Sequence, residues 1–315
     1  MDEMEIMAGL LILLAALLLD ISTGEAPNRF HPVAWLGNFI SLLLKPRPLS
    51  GKVKQTIYGI IVVVFTVLLI VAPVYFLLHY LQSLNTVLYI IVSAYLLKNA
   101  FSLRGLWQAV QRVKTSLQSA VLTEARTDVR ALVHRDPEHL NDKQLMSAAI
   151  ESCAENLCDS FVAPLFYFAI FGVPGAVAYR IVNTYDAMIG YHGEWEYTGK
   201  FAARLDDILN YIPARLSAIF ILAAAALCKI RPASGWTTML AYHNKTESPN
   251  AGWTMSAMAG SLNVVLEKAG HYKLGNGGRV LSLASISESQ TIMLVAASIC
   301  GILVIGKEVL VAAIS

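Results

Sequence analysis

The chain has 315 residues, of which 56% are hydrophobic and only 15% are charged. This composition excludes an ordinary soluble domain and is typical of an integral membrane protein. The formal net charge is +2, and no run of residues resembles a nucleic-acid-binding arm. The four cysteines have neither the spacing of a zinc site nor that of a disulfide framework, so we interpret them as core thiols.

Uncharged apolar runs predict the membrane-spanning helices. Residues 57–78 are long enough to cross about 30 Å of hydrocarbon as a helix. Residues 81–97 and 289–306 are shorter but also uncharged, and residues 6–19 form a further run that ends at Asp20. The amino terminus is acidic where a signal peptide would be basic, so no signal peptide is expected.

Two further apolar runs contain helix-breaking residues. Residues 161–182 are long enough to span, but Gly172 and Pro174 break them in the middle and Arg180 interrupts the end. Residues 211–228 carry Pro213 near one end. Each run is expected either to cross the membrane with a kink or to form a re-entrant hairpin.

These runs define the expected fold. We expect an all-α polytopic integral membrane protein, a helical bundle of about five (four to seven) membrane helices with cytosolic amphipathic helices and loops. Residues 1–315 are expected to form a single domain, with 98–160 as a cytosolic helical region and 229–290 as a cytosolic loop region. Apolar residues at helical spacing over 104–134 predict an amphipathic helix that lies against the rest of the protein or the bilayer surface.

The distribution of basic residues predicts the orientation. Residues 45–54 and 98–135 are rich in Lys and Arg, so they are expected to face the cytoplasm. Residues 183–210 have only Lys200 and Arg204 as basic groups, which alone predicts a position outside the cell or within the membrane. We expect a multi-pass protein of the cytoplasmic membrane with its active site on or near the cytoplasmic side.

An acidic helix is predicted just before a long apolar run. Glu151, Glu155 and Asp159 are four residues apart, so they share one helical face within about 80° of arc. The opposite face is apolar and is expected to pack, while Asn141 and Gln144 predict a capping box at the start. Stacked carboxylates repel one another. The acidic face therefore either receives a cation, a basic partner or a substrate ammonium, keeps one of its acids protonated, or is an ordinary solvated surface.

A second polar cluster places adjacent carboxylates beside arginines. Asp206 and Asp207 lie between Arg204 and Arg215 in the chain. Carboxylate oxygens bind Mg²⁺ and guanidinium groups bind phosphate in a bidentate manner, so the pattern indicates a magnesium and phosphate site. A network of intramolecular Arg–Asp salt bridges near a membrane interface explains the same spacing equally well.

Polar residues also interrupt apolar surroundings in three other strings. These strings are Asn28–Val33, Asn183–Tyr191 and Ser248–Gly260. His31 precedes a proline, a position where a structural role is more common than a catalytic one. The glycine-rich stretch Gly275–Arg279 lacks the P-loop pattern, so we interpret it as a loop.

Five strings occur in order along most of the chain: HPVAWLGNFI, IESCAENLCDSFVAPLFY, YRIVNTYDAMIGY, RLDDILNYIPARL and SPNAGWTMSAMAGSLNVVLEK. Together they resemble the CobD/CbiB family of cobalamin biosynthesis, the adenosylcobinamide-phosphate synthases. The resemblance extends from Asp20 to Gly275. Cys153 and Cys158 depart from the family pattern, so no role is expected for these thiols.

The resemblance implies a membrane ligase that acts late in corrin synthesis. It would join the free propionate of adenosylcobyric acid to the amine of (R)-1-amino-2-propanol or its O-phosphate, which gives adenosylcobinamide or adenosylcobinamide phosphate. The carboxylate needs activation, most simply as an acyl phosphate from ATP and Mg²⁺, and the amine must lose a proton. Cobalt is expected only within the corrin substrate.

The expected partners are these corrinoid and aminopropanol substrates and the lipid bilayer, without nucleic acid. A homo-oligomer, or association with other membrane enzymes of the late cobalamin pathway, is left open.

The expected Mg²⁺ ligands are Asp206, Asp207 and Asp186. The expected catalytic carboxylates are Glu151, Glu155, Asp159, Asp186 and Asp207. The expected substrate-binding residues are His31, Asn156, Asn183, Tyr185, Arg204, Asn210, Arg215, Asn250 and Trp253.

Within that set, Arg204 and Arg215 are expected to bind phosphate groups, and the asparagines are expected to bind the amides of the corrin periphery. Trp253 or Tyr185 is expected to pack on the corrin ring. The acids at 151, 155 and 159 are expected either to bind another metal ion or to receive the substrate ammonium and its proton. Because a P-loop is missing, any nucleotide site is of an unfamiliar kind.

Topology decides whether the two acidic clusters can share a site. If the runs 161–182 and 211–228 both cross, the clusters face opposite sides unless the site lies at membrane depth. If neither run crosses, both clusters are cytosolic. We favour two membrane-embedded helices that bring the clusters together.

The rival functions are a transporter or channel, a Mg²⁺-dependent membrane phosphotransferase and a scaffold. The missing repeat and the uncharged spans argue against a transporter, while a phosphotransferase would not need residues 248–267.

Overall fold

A computed structural model describes residues 7–24, 29, 31–133, 136–230 and 232–314. Within these ranges the chain forms thirteen α-helices and one two-stranded antiparallel β-hairpin. The expected all-α fold is confirmed. The acidic amino terminus and two residues of the first polar string, Asn28 and Phe30, lie outside the described residues.

The first half of the chain is helical over most of its length. Its helices are α1 (Ala8–Thr23), α2 (Pro32–Leu44), α3 (Lys52–Leu84), α4 (Thr86–Ala100), α5 (Leu103–Gln118), α6 (Leu122–Arg130) and α7 (Asp142–Leu157). A π-helical turn, Cys158–Val162, then joins α7 to the next helix.

The second half contains the remaining helices and the hairpin. These elements are α8 (Ala163–Ile189), α9 (Lys200–Leu209), α10 (Tyr211–Leu227), α11 (Pro232–Tyr242), α12 (Ala251–Leu262), β1 (Leu266–Lys268), β2 (Tyr272–Leu274) and α13 (Leu283–Ile314).

Four helical segments of the described chain are long and apolar enough to cross a membrane: Lys52–Leu84, Thr86–Gln118, Asp142–Ile189 and Leu283–Ile314. A fifth is present if the consecutive helices α9 and α10 form one broken span. These helices confirm the predicted multi-pass membrane protein. The apolar run near the amino terminus forms α1, whose 16 residues make it a shorter apolar helix.

The predicted break in the run 161–182 lies at Gly172. This glycine has φ 65° inside α8, a left-handed conformation that a residue with a Cβ rarely adopts. Pro174 follows two residues later and lacks the backbone N–H that a continuous helix needs. The helix therefore continues past a kink.

Residue contacts divide the chain into two compact units. The first unit comprises the described residues of Met1–Ser102, Ala163–Leu209 and Leu303–Ser315. The second unit comprises those of Leu103–Val162 and Asn210–Ile302. Because two compact units can belong to one folding domain, the expectation of a single domain stays a prediction. The side of the membrane that each segment faces also stays a prediction.

The core of the first unit forms where α2, α3, α8 and α9 meet. Its buried residues are Ile40, Leu44, Val62, Val63, Ile181, Tyr185, Ile189 and Ala202. Gly59 allows α3 to approach the chain before α9, because a Cβ at this position would overlap the carbonyl oxygen of Thr198. Burial of these apolar side chains positions the polar residues at the end of α8.

The core of the second unit joins α5, α6 and α7. Its buried residues are Val113, Ala125, Val129, Leu145, Ala148 and Ala149. The amphipathic stretch predicted over 104–134 is interrupted near Ala120, which has φ 58°, so it forms two helices. Their apolar faces pack on α7, which favours the expectation that this stretch lies against the protein.

Residues 229–290, expected to be a loop region, contain two helices, the hairpin and the first residues of α13. Helices α11 and α12 pack closely through small residues. A Cβ at Gly235 would overlap Ser261 Oγ, and a Cβ at Gly260 would meet Thr238. The two helices can approach closely because glycine has no side chain to hold them apart. The region is therefore more regularly folded than expected.

Candidate functional site

The acidic helix α7 begins as the sequence predicts. Asn141 Oδ1 accepts a hydrogen bond from the Gln144 backbone N–H at 3.1 Å, and Gln144 Oε1 accepts one from the Asn141 N–H at 3.0 Å. This reciprocal capping box satisfies two N–H groups that the helix cannot pair internally. The predicted start of the helix is therefore confirmed.

Glu151, the first acid of the ladder, is enclosed rather than presented. Its side chain is only 5% exposed. The Ser147 hydroxyl donates to Glu151 Oε1 at 2.6 Å, and the Tyr272 hydroxyl donates to Oε2 at 3.0 Å. Both carboxylate oxygens thus accept hydrogen bonds from hydroxyl groups, which compensates for the burial of this polar side chain.

The same network attaches the β-hairpin to α7. The backbone N–H of Glu267 on β1 donates to Ser147 Oγ at 2.8 Å, while Tyr272 lies on β2. Each strand of the hairpin therefore contributes one hydrogen bond to the network around Glu151. The expectation that all three acids lie on an open helical face is wrong for Glu151, because contacts from about 120 residues further along the chain cover it.

The other two acids of the ladder are more accessible. Glu155 and Asp159 are half-buried. Asp159 lies in the π-helical turn, in which hydrogen bonds close over five residues instead of four. A π-helical turn rotates each residue by a smaller angle than an α-helical turn. The single helical face predicted for the three acids from ideal α-helix geometry therefore does not extend unchanged to Asp159.

The cysteines of this segment are buried, as expected for core thiols. Cys153 Sγ lies 3.5 Å from Met293 Sδ. Cys158 Sγ donates to Asn210 Oδ1 at 3.7 Å, and Asn210 is only 2% exposed. Asn156 is half-buried, and its Nδ2 donates to the Ser152 carbonyl oxygen at 3.1 Å. These contacts make Asn210 and Asn156 part of local packing.

In the second unit, Arg215 contacts two other predicted substrate-binding residues, Asn250 and Trp253. Arg215 Nη1 donates to Asn250 Oδ1 at 3.3 Å and to the Tyr211 carbonyl oxygen at 2.5 Å. The guanidinium carbon lies 3.5 Å from the centre of the Tyr211 ring and 4.8 Å from that of Trp253. Cation–π contacts and hydrogen bonds therefore fix the orientation of this cation.

Sequence reasoning missed His243, which belongs to the same cluster. Its ring stacks on Trp253 with centroids 4.1 Å apart and an angle of 20° between the planes. Gly252 allows this approach, since a Cβ there would overlap the His243 carbonyl oxygen. The glycine of the SPNAGW string was the available signal, because it marks a close backbone contact.

A second group forms in the first unit around Asn183. The Asn183 side-chain amide donates to Asp206 Oδ1 at 3.3 Å. Arg180 Nη1 donates to Asn183 Oδ1 at 3.1 Å, and Arg180 Nε donates to the Ala100 carbonyl oxygen at 2.8 Å. Asp206 is 8% exposed. This chain of hydrogen bonds joins α4, α8 and α9, and it includes Arg180, which the sequence showed only as a charge at the end of an apolar run.

The remaining predicted residues of the first unit have mixed environments. Asp186 and Asp207 are half-buried, whereas Arg204 is exposed. Tyr185 is fully buried and its hydroxyl lies 2.7 Å from Thr66 Oγ1, which favours a role in helix packing over contact with a corrin ring. The ring of His31 caps α2, because Nδ1 accepts the Val33 N–H at 3.2 Å. This contact supports the structural interpretation of His31.

The arrangement of the carboxylates limits the kind of Mg²⁺ site that the described chain can form. Nowhere in the described ranges do three His, Cys, Asp or Glu side chains converge as a metal site. Mg²⁺ commonly uses only one or two carboxylates, together with water and substrate phosphates. Asp206, Asp207 and Asp186 can each supply one carboxylate in that mode, whereas no site built from three such protein side chains is found in the described part of the chain.

The chain was compared with known proteins. A family model described as CobD/Cbib protein matches residues 13–294. The cobalamin biosynthesis protein CobD of Dehalococcoides mccartyi is 51% identical over 278 residues, which cover 88% of this chain and 90% of the relative. A probable cobalamin biosynthesis protein CobD of Methanothermobacter thermautotrophicus is 41% identical, with coverage of 84% and 86%.

A probable CobD protein of Methanococcus aeolicus is 37% identical, with 87% of this chain and 90% of the relative covered. No solved structure matches the chain. All five strings that suggested the family lie inside the matched residues 13–294. The chain therefore belongs to the CobD/CbiB family of cobalamin biosynthesis proteins.

Proposed function

We propose that this protein is the amide-forming synthase of the pathway. It joins the free propionate of adenosylcobyric acid to (R)-1-amino-2-propanol or its O-phosphate and gives adenosylcobinamide or its phosphate. The observation that carries the proposal is the family match over residues 13–294, which includes every polar cluster described above. The proposed location is the cytoplasmic membrane, with the active site on or near its cytoplasmic side.

The reaction requires activation of a carboxylate. In the proposed first step, a propionate oxygen attacks the terminal phosphorus of ATP, which forms an acyl phosphate and releases ADP. Arg215 is suited to bind a phosphate group, because Tyr211, Trp253 and Asn250 hold its guanidinium in one orientation. Asp206 and Asp207, with Asp186, would hold Mg²⁺, which neutralises phosphate charge when it is bound.

The second step needs a neutral amine. The substrate ammonium transfers a proton to a carboxylate, and the free amine then attacks the acyl carbon and releases inorganic phosphate. Glu155 and Asp159 are better placed for this proton than Glu151, because both are half-buried while Glu151 is enclosed by Ser147 and Tyr272. Glu151 is then the residue that holds the acidic helix and the hairpin together.

The test uses the purified full-length protein in detergent. Adenosylcobyric acid, ATP and Mg²⁺ are mixed with each amine in turn, and corrinoid products are separated by chromatography and weighed by mass spectrometry. A corrinoid that has gained the amine and lost water is expected with at least one of the two amines. Folded protein that makes no such product with either amine contradicts the proposal.

A pair of variants on the same helix tests the role of the acidic face. Glu155→Gln removes a half-buried carboxylate and should lower turnover about 100-fold, as loss of a general base does. Asp142→Asn removes an exposed carboxylate from the first turn of α7 and should leave turnover nearly unchanged. Equal activity of the two variants would remove Glu155 from the mechanism.

A further inference from the structure

His243 adds an imidazole ring to the cluster around Arg215. The imidazole stacks on the indole of Trp253, with the ring centres 4.1 Å apart. The guanidinium carbon of Arg215 lies 4.8 Å from the centre of the same indole. Because both groups contact one ring, the sum of these two distances, about 9 Å, is the largest separation that they can have. All three residues belong to the second unit.

Backbone contacts fix the position of His243 just after α11. Its N–H donates to the carbonyl oxygen of Met239 at 3.0 Å. Its own carbonyl oxygen lies against Gly252 of α12, where a Cβ would overlap it. The side chain of His243 is half-buried. These contacts hold the imidazole on the indole ring and beside the guanidinium.

The ring nitrogens of His243 retain their capacity to bind a ligand. In the described part of the chain, no hydrogen bond or ion pair to this ring is found. Stacking uses the face of the imidazole and leaves its nitrogen atoms at the edge. A protonated imidazole has two N–H donors, whereas a neutral one has one donor and one acceptor. The protonated ring can therefore donate to an anion at the edge of the stack.

A phosphate group has the size to contact both residues. Charge-assisted N–H···O bonds are about 2.8 Å long and two oxygens of one phosphate are about 2.5 Å apart, so one phosphate joins donors up to about 8 Å apart. This reach is comparable with the largest separation of the His243 ring and the Arg215 guanidinium. A phosphate monoester carries close to two negative charges near neutral pH. Arg215 alone supplies only one positive charge, so a second cation would improve the balance.

We propose that protonated His243 is a second phosphate-binding residue beside Arg215. It donates one N–H to the phosphate that Arg215 contacts, and its charge adds to that of the guanidinium. Histidine changes its charge between about pH 5 and about pH 8, so the phosphate is held more tightly at the acidic end of this range. The inference rests on the phosphate site proposed at Arg215, but it does not depend on amide formation.

The surroundings of His243 provide a control for its charge. The titratable and charged side chains on the elements and loops around it are Tyr211, Arg215, Tyr242, Lys245, Glu247 and His271. Helix α12 has no charged residue. Glu247 pairs with His271 of the β-hairpin turn at 3.0 Å, and both side chains are exposed. His271 is therefore a nearby histidine that has a carboxylate partner and does not stack on Trp253.

The test measures the binding of two phosphate compounds without a corrinoid. ATP with Mg²⁺ and 1-amino-2-propanol O-phosphate are titrated separately into the purified full-length protein by calorimetry, at about pH 5.5 and at about pH 8. The wild type is compared with His243→Gln and His243→Arg, and His271→Gln is the matched control. Thermal melting of each variant shows that it is folded.

His243→Gln should bind phosphate about tenfold more weakly than the wild type at the acidic pH, which corresponds to one charge-assisted hydrogen bond, and equally well at the basic pH. His243→Arg keeps a permanent cation, so it should bind about tenfold more tightly than the wild type at the basic pH. His271→Gln should match the wild type at both. Comparison at one pH cancels the charge change of the phosphate itself. Equal affinity of the wild type and His243→Gln for both compounds at the acidic pH would overturn the proposal, as would an equal loss in His271→Gln.

Arg215→Gln identifies which phosphate occupies the cluster. The compound whose affinity falls in both Arg215→Gln and His243→Gln is its ligand. If binding of each compound weakens in Arg215→Gln alone, His243 only packs on Trp253 and the proposal is wrong.

Proton uptake separates phosphate binding from packing. Calorimetry at about pH 7 in two buffers of different ionisation enthalpy should show more proton uptake on binding in the wild type than in His243→Gln, which a packing role would not cause. Equal uptake in the two proteins contradicts the proposal. A protein that forms no amide product but retains this pH-dependent phosphate binding would contradict the proposed function alone.

Discussion

The networks around Glu151 and Asp206 hold two buried carboxylates in different ways. Glu151 accepts hydrogen bonds from two hydroxyl groups, and a backbone N–H of the hairpin supports one of them. Asp206 accepts a hydrogen bond from the side-chain amide of Asn183, which Arg180 in turn orients. The first network joins a helix to a hairpin, whereas the second joins the helices α4, α8 and α9.

The difference indicates different tasks for the two acids. A carboxylate with both oxygens bonded to hydroxyls inside a packed interface contributes to folding, because its loss leaves buried donors without acceptors. Asp206 is oriented by an amide, and a second carboxylate follows it in the chain. Carboxylate oxygens are ligands that Mg²⁺ prefers. Variants of the two acids should therefore separate stability from turnover.

The largest expected effect is on turnover in the first unit. Asp206→Asn should lower the rate of amide formation roughly 100-fold, or about 2.7 kcal/mol in activation free energy, because it removes a proposed Mg²⁺ ligand. The asparagine has nearly the same shape, so the melting temperature should change little. Turnover measured across a range of Mg²⁺ concentrations checks this prediction.

If Asp206 binds the metal, the variant should need more Mg²⁺ for half of its maximal rate, which a merely structural role would not cause. A variant that unfolds at a much lower temperature but keeps its Mg²⁺ dependence would show that Asp206 resembles Glu151 in function.

The next effect is on stability in the second unit. Glu151→Ala should lower the free energy of unfolding by about 2 to 3 kcal/mol, because the hydroxyls of Ser147 and Tyr272 lose their acceptor. Tyr272→Phe removes one hydrogen bond and should cost only about 1 kcal/mol. Thermal unfolding in detergent measures both variants, and Glu155→Ala serves as the half-buried control.

The opposite pattern would break the comparison between the two acids. A Glu151→Ala protein that melts like the wild type but makes no product would place Glu151 in the catalytic machinery, with the role first expected for it from the sequence.

The smallest effect tests close packing beside the core of the first unit. Gly59→Ala should destabilise by about 1 to 2 kcal/mol, because the added methyl group overlaps the Thr198 carbonyl oxygen. Gly301→Ala is the matched control in another long helix, since a Cβ there has no neighbour within 4 Å. Melting temperatures that fall equally in the two variants would contradict the close approach.

The sequence predicted the features that depend on local spacing. The capping box at Asn141, the long apolar helices and the break near Gly172 all follow from residues within a few positions of one another. The family resemblance rested on five ordered strings, and the match over residues 13–294 confirms it. Each of these features is set by short-range geometry or by a contiguous motif.

Features that depend on distant contacts could not be predicted. Tyr272 lies 121 positions from Glu151, and no spacing rule places its hydroxyl on that carboxylate. The stacking of His243 on Trp253 and the position of Arg180 beside Ala100 likewise require the packed helices. The π-helical turn at Asp159 is a local feature, but no spacing rule in the sequence indicates it.

The most direct test of the proposed activity uses adenosylcobyric acid with both oxygens of the free carboxylate labelled with ¹⁸O. Activation by ATP followed by attack of the amine predicts one ¹⁸O in the amide product and one in the released inorganic phosphate. Mass spectrometry of both products measures the label. An unlabelled phosphate, or no corrinoid amide from folded wild-type protein supplied with ATP, Mg²⁺ and each amine, would contradict the account.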